Sequence, residues 1–403
     1  MVNSAGMTMK PTKLADGTFV TPVVSASSIL FSRTTIYMVL AIATMLLASR
    51  LPIRRLLSLT QSEDSMIPDY RSGRWGILDF KFAAFAALAL IFVLLLAYVP
   101  GIGKSVNGSH RWLRLPIPGI GDALSVQPSE IAKWAMVFIV AWFATRRLSI
   151  IPSFYRGLLP ALCLLGSVCF VIILEDLGTG ALVMATGCII LLAAGARIWQ
   201  FAMFIPLGLM GLVAAIVTSP YRVARITAFL DPYQDAEKTG YHMIQSMLAV
   251  AGGEGFGRGL GFGLQKFGYL PEDTTDFLFA IICEELGIAG AAIIIVLFVV
   301  IICMGCAIVI RERSTMLRLV ALGIVSTIGL QAIINLIVVT GLGPTKGIAL
   351  PLVSSGGTGW LLTCFSIGIL MAIDRTQDAY EPALGSSTTP APSELPHVVP
   401  SAT

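Results

Sequence analysis

The stretch from 277 to 309 carries no charged side chain except Glu284 and Glu285. About 20 apolar residues in a helix cross the hydrocarbon core of a bilayer. This run therefore commits the chain to a membrane. Eight more apolar runs lie near 34–49, 77–99, 127–145, 158–174, 180–195, 199–218, 317–342 and 359–373. The chain is 56% hydrophobic and 12% charged, against about 45–50% and about 25% in soluble domains. The runs do not alternate polar and apolar residues as the strands of a transmembrane barrel do. The expected fold is an all-α polytopic membrane protein with about nine spans. In the long seventh span, Gly287 and Gly290 are the candidate kink points.

The runs divide the chain into a polar N-terminal segment (1–33), a membrane-embedded region (34–375) and a tail (376–403). The tail is rich in Pro, Ser and Thr and is expected to be disordered. Residues 1–29 lack a continuous apolar core, so no signal peptide is expected. Residues 219–275 form a large loop between spans six and seven. Seven cysteines fall in or beside apolar runs, where they read as small hydrophobes. Neither a disulfide nor a metal site is assigned to them. The formal net charge of +4 comes without a basic tract, so no nucleic-acid partner is expected.

Short loops rich in Lys and Arg remain on the cytoplasmic side. One set of loops holds Arg50, Arg54, Arg55, Arg71, Arg74, Arg146, Arg147, Arg156, Arg197, Arg311, Arg313, Arg318 and Arg375. The short loops of the opposite set hold only Lys104, Arg111, Arg114 and Lys346. The first set is therefore expected inside, with the C-terminus. The segments 100–126, 175–179, 219–275 and 343–358 are expected outside. Nine spans would leave the N-terminus outside as well.

The unusual polar residues cluster on that outward side. "NGSHRWLRLP" (107–116) pairs cations with an aromatic. "VQPSEIAKWAMV" (126–137) opens a span with Pro128 in its first turn and puts Glu130 and Lys133 on one helical face. Charges within a span are costly and tend to be functional. Arg222 and Arg225, also three apart, suit either an anionic phosphate or a basic interfacial helix. The glycine-dense "AGGEGFGRGLGFG" (251–263) fits no nucleotide loop. It suits either close backbone approach or a flexible loop. In "GPTKGIALPLVSSGGTGW" (343–360), prolines and glycines interrupt a membrane-depth segment. Such irregular backbone belongs against protein or a water-filled cavity. "YLPEDTTDFLFAIICEELGIAG" (269–290) concentrates five acids. Helical spacing separates Glu284 and Glu285 from Asp276, so they are expected to be buried anchors rather than its partners.

In this order, "NGSHRWL", "QPSEIAK", "DLGTGALV", "YRVARITAFLDP", "YHMIQSMLAVAGGEGFGRGLGFG", "YLPEDTTDFLFAIICEELG" and "GPTKGIALPLVSSGGTG" resemble the SEDS family (shape, elongation, division and sporulation). That family includes the FtsW and RodA proteins. "PTKG" and "LQKFGYLPE" look closer to FtsW. The resemblance implies a SEDS-type helical bundle, usually of ten spans; here the residues before "VVSAS" (23–27) make no convincing first one. Two further departures are Ser355, where Tyr is usual, and His242, where Gln is usual.

The resemblance implies a peptidoglycan glycosyltransferase in the cytoplasmic (inner) membrane of a bacterium. It would polymerise lipid II on the outer face, with undecaprenyl pyrophosphate as leaving group. Its implied partners are a class B penicillin-binding protein (transpeptidase) and other divisome or elongasome membrane proteins. Asp276 becomes the implied essential acid, suited to act as a general base. Lys133 and Arg111 are candidates to face the pyrophosphate, with Glu130 orienting Lys133. Arg222, Arg225, Gln245, Ser246, Lys346, Ser354, Gly356 and Gly357 fall in the matched motifs as substrate-binding candidates. No cofactor is required by the resemblance; a divalent cation such as Mg, with Asp276 as an oxygen ligand, is compatible with it. A lipid II flippase and a noncatalytic division scaffold are the alternative readings.

Overall fold

The computed structural model describes residues 33–55, 74–106, 109–114, 125–271, 275–345, 347–354 and 357–377, with the short strand segments 12–13 and 19–20. Each of the nine apolar runs is helical. They form α1 (Arg33–Ser49), α2 (Arg74–Leu95), α3 (Pro128–Arg146), α4 (Leu159–Glu175) and α5 (Leu177–Ala193). The sixth run is broken into α6 (Ile198–Ala202) and α7 (Ile205–Val217). Next come α8 (Pro220–Leu230), α9 (Tyr241–Gly252), α10 (Leu278–Arg311), α11 (Thr315–Val339) and α12 (Thr358–Gln377). Among the described residues, six helical segments are long and apolar enough to cross a membrane, and α1 and α5 are shorter apolar helices. α3 has the length but carries Glu130, Lys133 and Arg146. The protein is a multi-pass helical membrane protein.

Local chemistry explains the breaks. Pro128, Pro160, Pro206 and Pro220 occupy the first turns of α3, α4, α7 and α8, where a missing N–H costs nothing. The outward segment expected at 175–179 contracts to one non-helical residue. Asp176 ends α4 and caps α5, its carboxylate accepting from Gly178 N (3.0 Å), Thr179 N (3.1 Å) and Thr179 Oγ1 (2.8 Å).

The bundle is built around α3, α5 and α11, which pack on one another. Phe143, Ile190 and Ile324 lie in that core. Gly323 allows the approach: a Cβ there would fall 2.5 Å from Val137 and 2.8 Å from Ile190. Small residues serve this purpose in membranes, where dispersion contacts rather than water drive helix association. α1 packs along α12, α2 along α3 and α4, and α10 against α9 and α11. α7 buries none of its residues.

The structure adds three details to the helical expectation. The 100–126 segment contains a small antiparallel sheet, and the N-terminal region a two-residue strand pair. In chain order the strands are β1 (Thr12–Lys13), β2 (Phe19–Val20), β3 (Gly103–Val106), β4 (Ser109–Arg114) and β5 (Ser125–Val126). β1 pairs with β2, and the sheet order is β3-β4-β5. The 219–275 loop contains α8 and α9. α12 continues through Gln377, past the expected boundary at 375. Residues 378–403 lie outside the described residues, as does most of 1–33.

Gly287 kinks α10, with φ 62° and ψ −156°, while Gly290 stays helical. The kink frees backbone groups that must find partners at membrane depth. The glycine-dense segment supplies them. Arg258 N donates to Glu284 O (3.0 Å), Gly259 N to Glu285 O (2.9 Å), and Ile288 N to Glu254 O (3.3 Å). A Cβ at Gly287 would collide with Gly257 N and fall 2.7 Å from Gly255 O. Gly287→Ala is therefore expected to cost about 1–3 kcal/mol in backbone strain alone. Hydrogen exchange checks this: residues 254–259 should lose protection, and unchanged exchange would mean that the kink does not hold this segment.

At the opposite end, Glu312 is buried and pairs with Arg54 (2.9 Å). Arg54 also donates to Thr376 O (3.0 Å), and Gln377 to Glu312 (3.1 Å). This cluster ties the segment after α1 to the ends of α10 and α12.

Candidate active site

Asp276 lies one residue before Phe277, the N-cap position of α10, at the helix end that favours negative charge. Its carboxylate rests against Gly347, where a Cβ would fall only 2.7 Å from Oδ2. Only glycine admits that approach. The ring of His242 stacks beside Phe277, with centroids 6.2 Å apart.

Lys133 sits one turn into α3 and is 2% exposed. It donates to Glu130 Oε2 (2.8 Å) and Gln331 Oε1 (3.0 Å). The Glu130 carboxylate borders Gly359 in the first turn of α12. The i,i+3 spacing thus produces the expected ion pair, and α11 adds a partner that sequence reasoning missed.

That partner belongs to a buried polar ladder on α11. Gln331 Nε2 donates to Ala349 O (2.8 Å). One turn later, Asn335 Nδ2 donates to Ile348 O (2.7 Å) and Asp276 O (2.8 Å). Both side chains are buried, and Asn335 Oδ1 has no hydrogen-bond partner among the described residues. The available signal was two amides four residues apart in an apolar run, which puts them on one helical face.

Arg111 and Arg222 are engaged at the end of α4. Arg111 Nη2 donates to Glu175 O (2.6 Å). Arg222 donates to Ile173 O (2.7 Å), Leu174 O (3.0 Å) and Ala215 O (2.9 Å). Both guanidinium groups thus cover the C-terminal carbonyls of α4, the negative end of that helix. Arg111 also lines a small pocket of about 30 Å³ with Tyr98, Ser129 and Asp176. Arg225 packs over and hydrogen-bonds Tyr221, and donates to Thr345 O (2.9 Å), two residues before Gly347. Ser246 Oγ donates to Val339 O (2.8 Å), tying α9 to α11. Ser354 Oγ accepts from Leu350 N (2.9 Å) within the 347–354 segment. Gln245 is half-buried on α9. Gly357 lies against the Tyr37 ring. Lys346 and Gly356 lie outside the described residues, as do Glu272, Asp273 and Ser355.

Glu284 and Glu285 are buried and serve the glycine-dense segment. Glu284 accepts from Leu264 N (2.8 Å) and Gln265 N (3.1 Å), and Glu285 pairs with Lys266 (2.8 Å). Among the described residues, no group of three or more His, Cys, Asp or Glu side chains gathers around a possible metal position. Asp276 alone would be a minimal ligand set for a hard cation, whose other oxygens would come from water or substrate phosphates.

A family model described as "Cell cycle protein" (FtsW/RodA/SpoVE) matches residues 78–379. The chain is 42% identical over 285 residues to "Stage V sporulation protein E" of Bacillus subtilis, covering 70% of this chain and 76% of the relative. It is 33% identical over 374 residues to "Probable peptidoglycan glycosyltransferase FtsW" of Geobacter metallireducens, covering 93% and 89%. A chain from a structure described as "Structural coordination of polymerization and crosslinking by a peptidoglycan synthase complex" shares the fold. Its TM-score is 0.62 at 24% identity, covering 87% of this chain and 90% of that one. RodA of Thermus thermophilus aligns with a TM-score of 0.54 at 21% identity, covering 87% and 88%. With its helical bundle, its ordered motifs and these matches, the chain belongs to the FtsW/RodA/SpoVE family of cell cycle proteins, the SEDS family.

Proposed function

We propose that the protein is a peptidoglycan glycosyltransferase that polymerises lipid II, with Asp276 as general base. One observation carries this reading beyond family membership. A single buried hydrogen-bonded frame links Asp276 to the Lys133–Glu130 pair. The acceptor's 4-hydroxyl gives its proton to the Asp276 carboxylate. Its oxygen bonds the anomeric carbon of the donor N-acetylmuramic acid, and the bond to undecaprenyl pyrophosphate breaks. Lys133 contributes positive potential from within the frame as the leaving group gains charge. Arg225, held beside the 345–347 segment, is the cation we assign to the substrate phosphates. A divalent cation, if bound, would add charge compensation there.

The Arg-poor short loops support an active face on the outside of the cytoplasmic membrane of a bacterium. The fold shared with a chain of a peptidoglycan synthase complex supports a class B penicillin-binding protein as partner. The relatives named FtsW support a role in division.

The test is polymerisation of labelled lipid II by the purified protein with its class B synthase. Glycan strands from the wild type and none from Asp276→Ala are expected. Translocation of labelled lipid II across vesicles, with no strands from either protein, would replace this reading with transport. Normal division supported by Asp276→Ala would replace it with scaffolding.

A further inference from the structure

Four hydrogen bonds and the peptide link between Ile348 and Ala349 connect Lys133 to the main chain of Asp276. Lys133 Nζ donates to Gln331 Oε1 (3.0 Å), and Gln331 Nε2 donates to Ala349 O (2.8 Å). Ile348, the preceding residue, accepts from Asn335 Nδ2 (2.7 Å), which also donates to Asp276 O (2.8 Å). Gln331 and Asn335 are 7% and 1% exposed. Neither occupies a charged or nucleophilic role, and neither lies in a motif that carries the family resemblance.

We propose that Gln331 and Asn335 are positioning residues that set the spacing between Lys133 and Asp276. The inference rests on the glycosyltransferase reading. The segment 347–350 has no helix or strand of its own. Its carbonyls therefore need partners from elsewhere at membrane depth. The two amides supply them from one face of a rigid helix, with a rise of about 6 Å between them. The main chain of Asp276 is held by Asn335, and its carboxylate lies close beside Gly347. Packing does not explain Asn335. Leucine would fill similar space, but it would leave Ile348 O and Asp276 O without this donor.

The test uses the full chain with its class B synthase and lipid II. It compares the wild type with Asn335→Leu, Asn335→Asp and Gln331→Leu, with Asp276→Ala as the inactive control. Misplacing a reacting group by about 1 Å costs up to about 100-fold. Asn335→Leu is expected to lower kcat by about 10- to 100-fold with KM changed less than about twofold. Asn335→Asp, which keeps the shape but as a carboxylate offers no donor to the two carbonyls, should lose at least as much rate as Asn335→Leu. Hydrogen exchange should rise at 275–277 and 347–354 and stay unchanged in α3 and α5.

An Asn335→Leu enzyme with wild-type kcat, alongside an inactive Asp276→Ala control, overturns this inference and leaves the proposed function standing. Exchange rising throughout the bundle also overturns it, by showing a general structural role. If the wild type makes no strands, the proposed function fails and the positioning role falls with it.

Discussion

Asp276→Asn is expected to reduce strand synthesis by about 100- to 10,000-fold, the range in which general-base catalysis contributes. The substitution is nearly isosteric. The main-chain carbonyl of residue 276 still accepts from Asn335, and the new side chain still fits beside Gly347. The negative charge and the capacity to take a proton are removed with the size of the side chain nearly unchanged, so the melting temperature should stay close to wild type. Gly347→Ala is the companion variant. Its Cβ would fall 2.7 Å from Oδ2 and push the carboxylate off its seat, lowering the rate while Asp276 remains ionisable. Strand length and rate from labelled lipid II provide the readout. More than a tenth of wild-type rate in Asp276→Asn would rule out the base role.

Loss of Glu285 alone should be the most damaging single change to stability. Glu285 is 1% exposed and Lys266 is 4% exposed, with 2.8 Å between their charges. Removing one partner leaves the other charge buried, at a cost of about 3–5 kcal/mol. Glu285→Leu should therefore lower the melting temperature sharply and release the 254–266 segment to hydrogen exchange. The double variant Glu285→Leu with Lys266→Met should recover most of that loss, because an apolar pair of similar volume carries no desolvation cost. If the double variant is as damaged as the sum of the singles, the charges do not act as a pair.

What could be read in advance follows from how local each interaction is. The apolar runs were legible because the bilayer imposes length and composition on every span. Lys133 and Glu130 were legible because three residues on a helix make a face. Gly287 was legible as a kink, yet nothing nearby said that residues 254–259 would satisfy the freed backbone. The ladder depends on α11 meeting the 347–350 segment, a contact decided by tertiary packing. Arg111 and Arg222 resembled phosphate ligands because a guanidinium offers the same donors to a phosphate and to a carbonyl. Here they meet the carbonyls at the end of α4. Asp176 reads as an ordinary turn residue until its three hydrogen bonds identify a cap.

The pairing of α1 with α12 bears on how the chain is made. Tyr37 and Ala41 form a cluster with Trp360 and Cys364, and Gly368 seats against Met45 and Ala48. α1 leaves the ribosome early, and its partner follows on the order of 300 residues later. At roughly 5–20 residues per second, that gap lasts tens of seconds. During it, the face of α1 that will meet α12 is covered only by lipid or by the insertion machinery. Pairing of α1 therefore waits for synthesis of α12, and a nascent chain truncated before Thr358 leaves α1 without that partner.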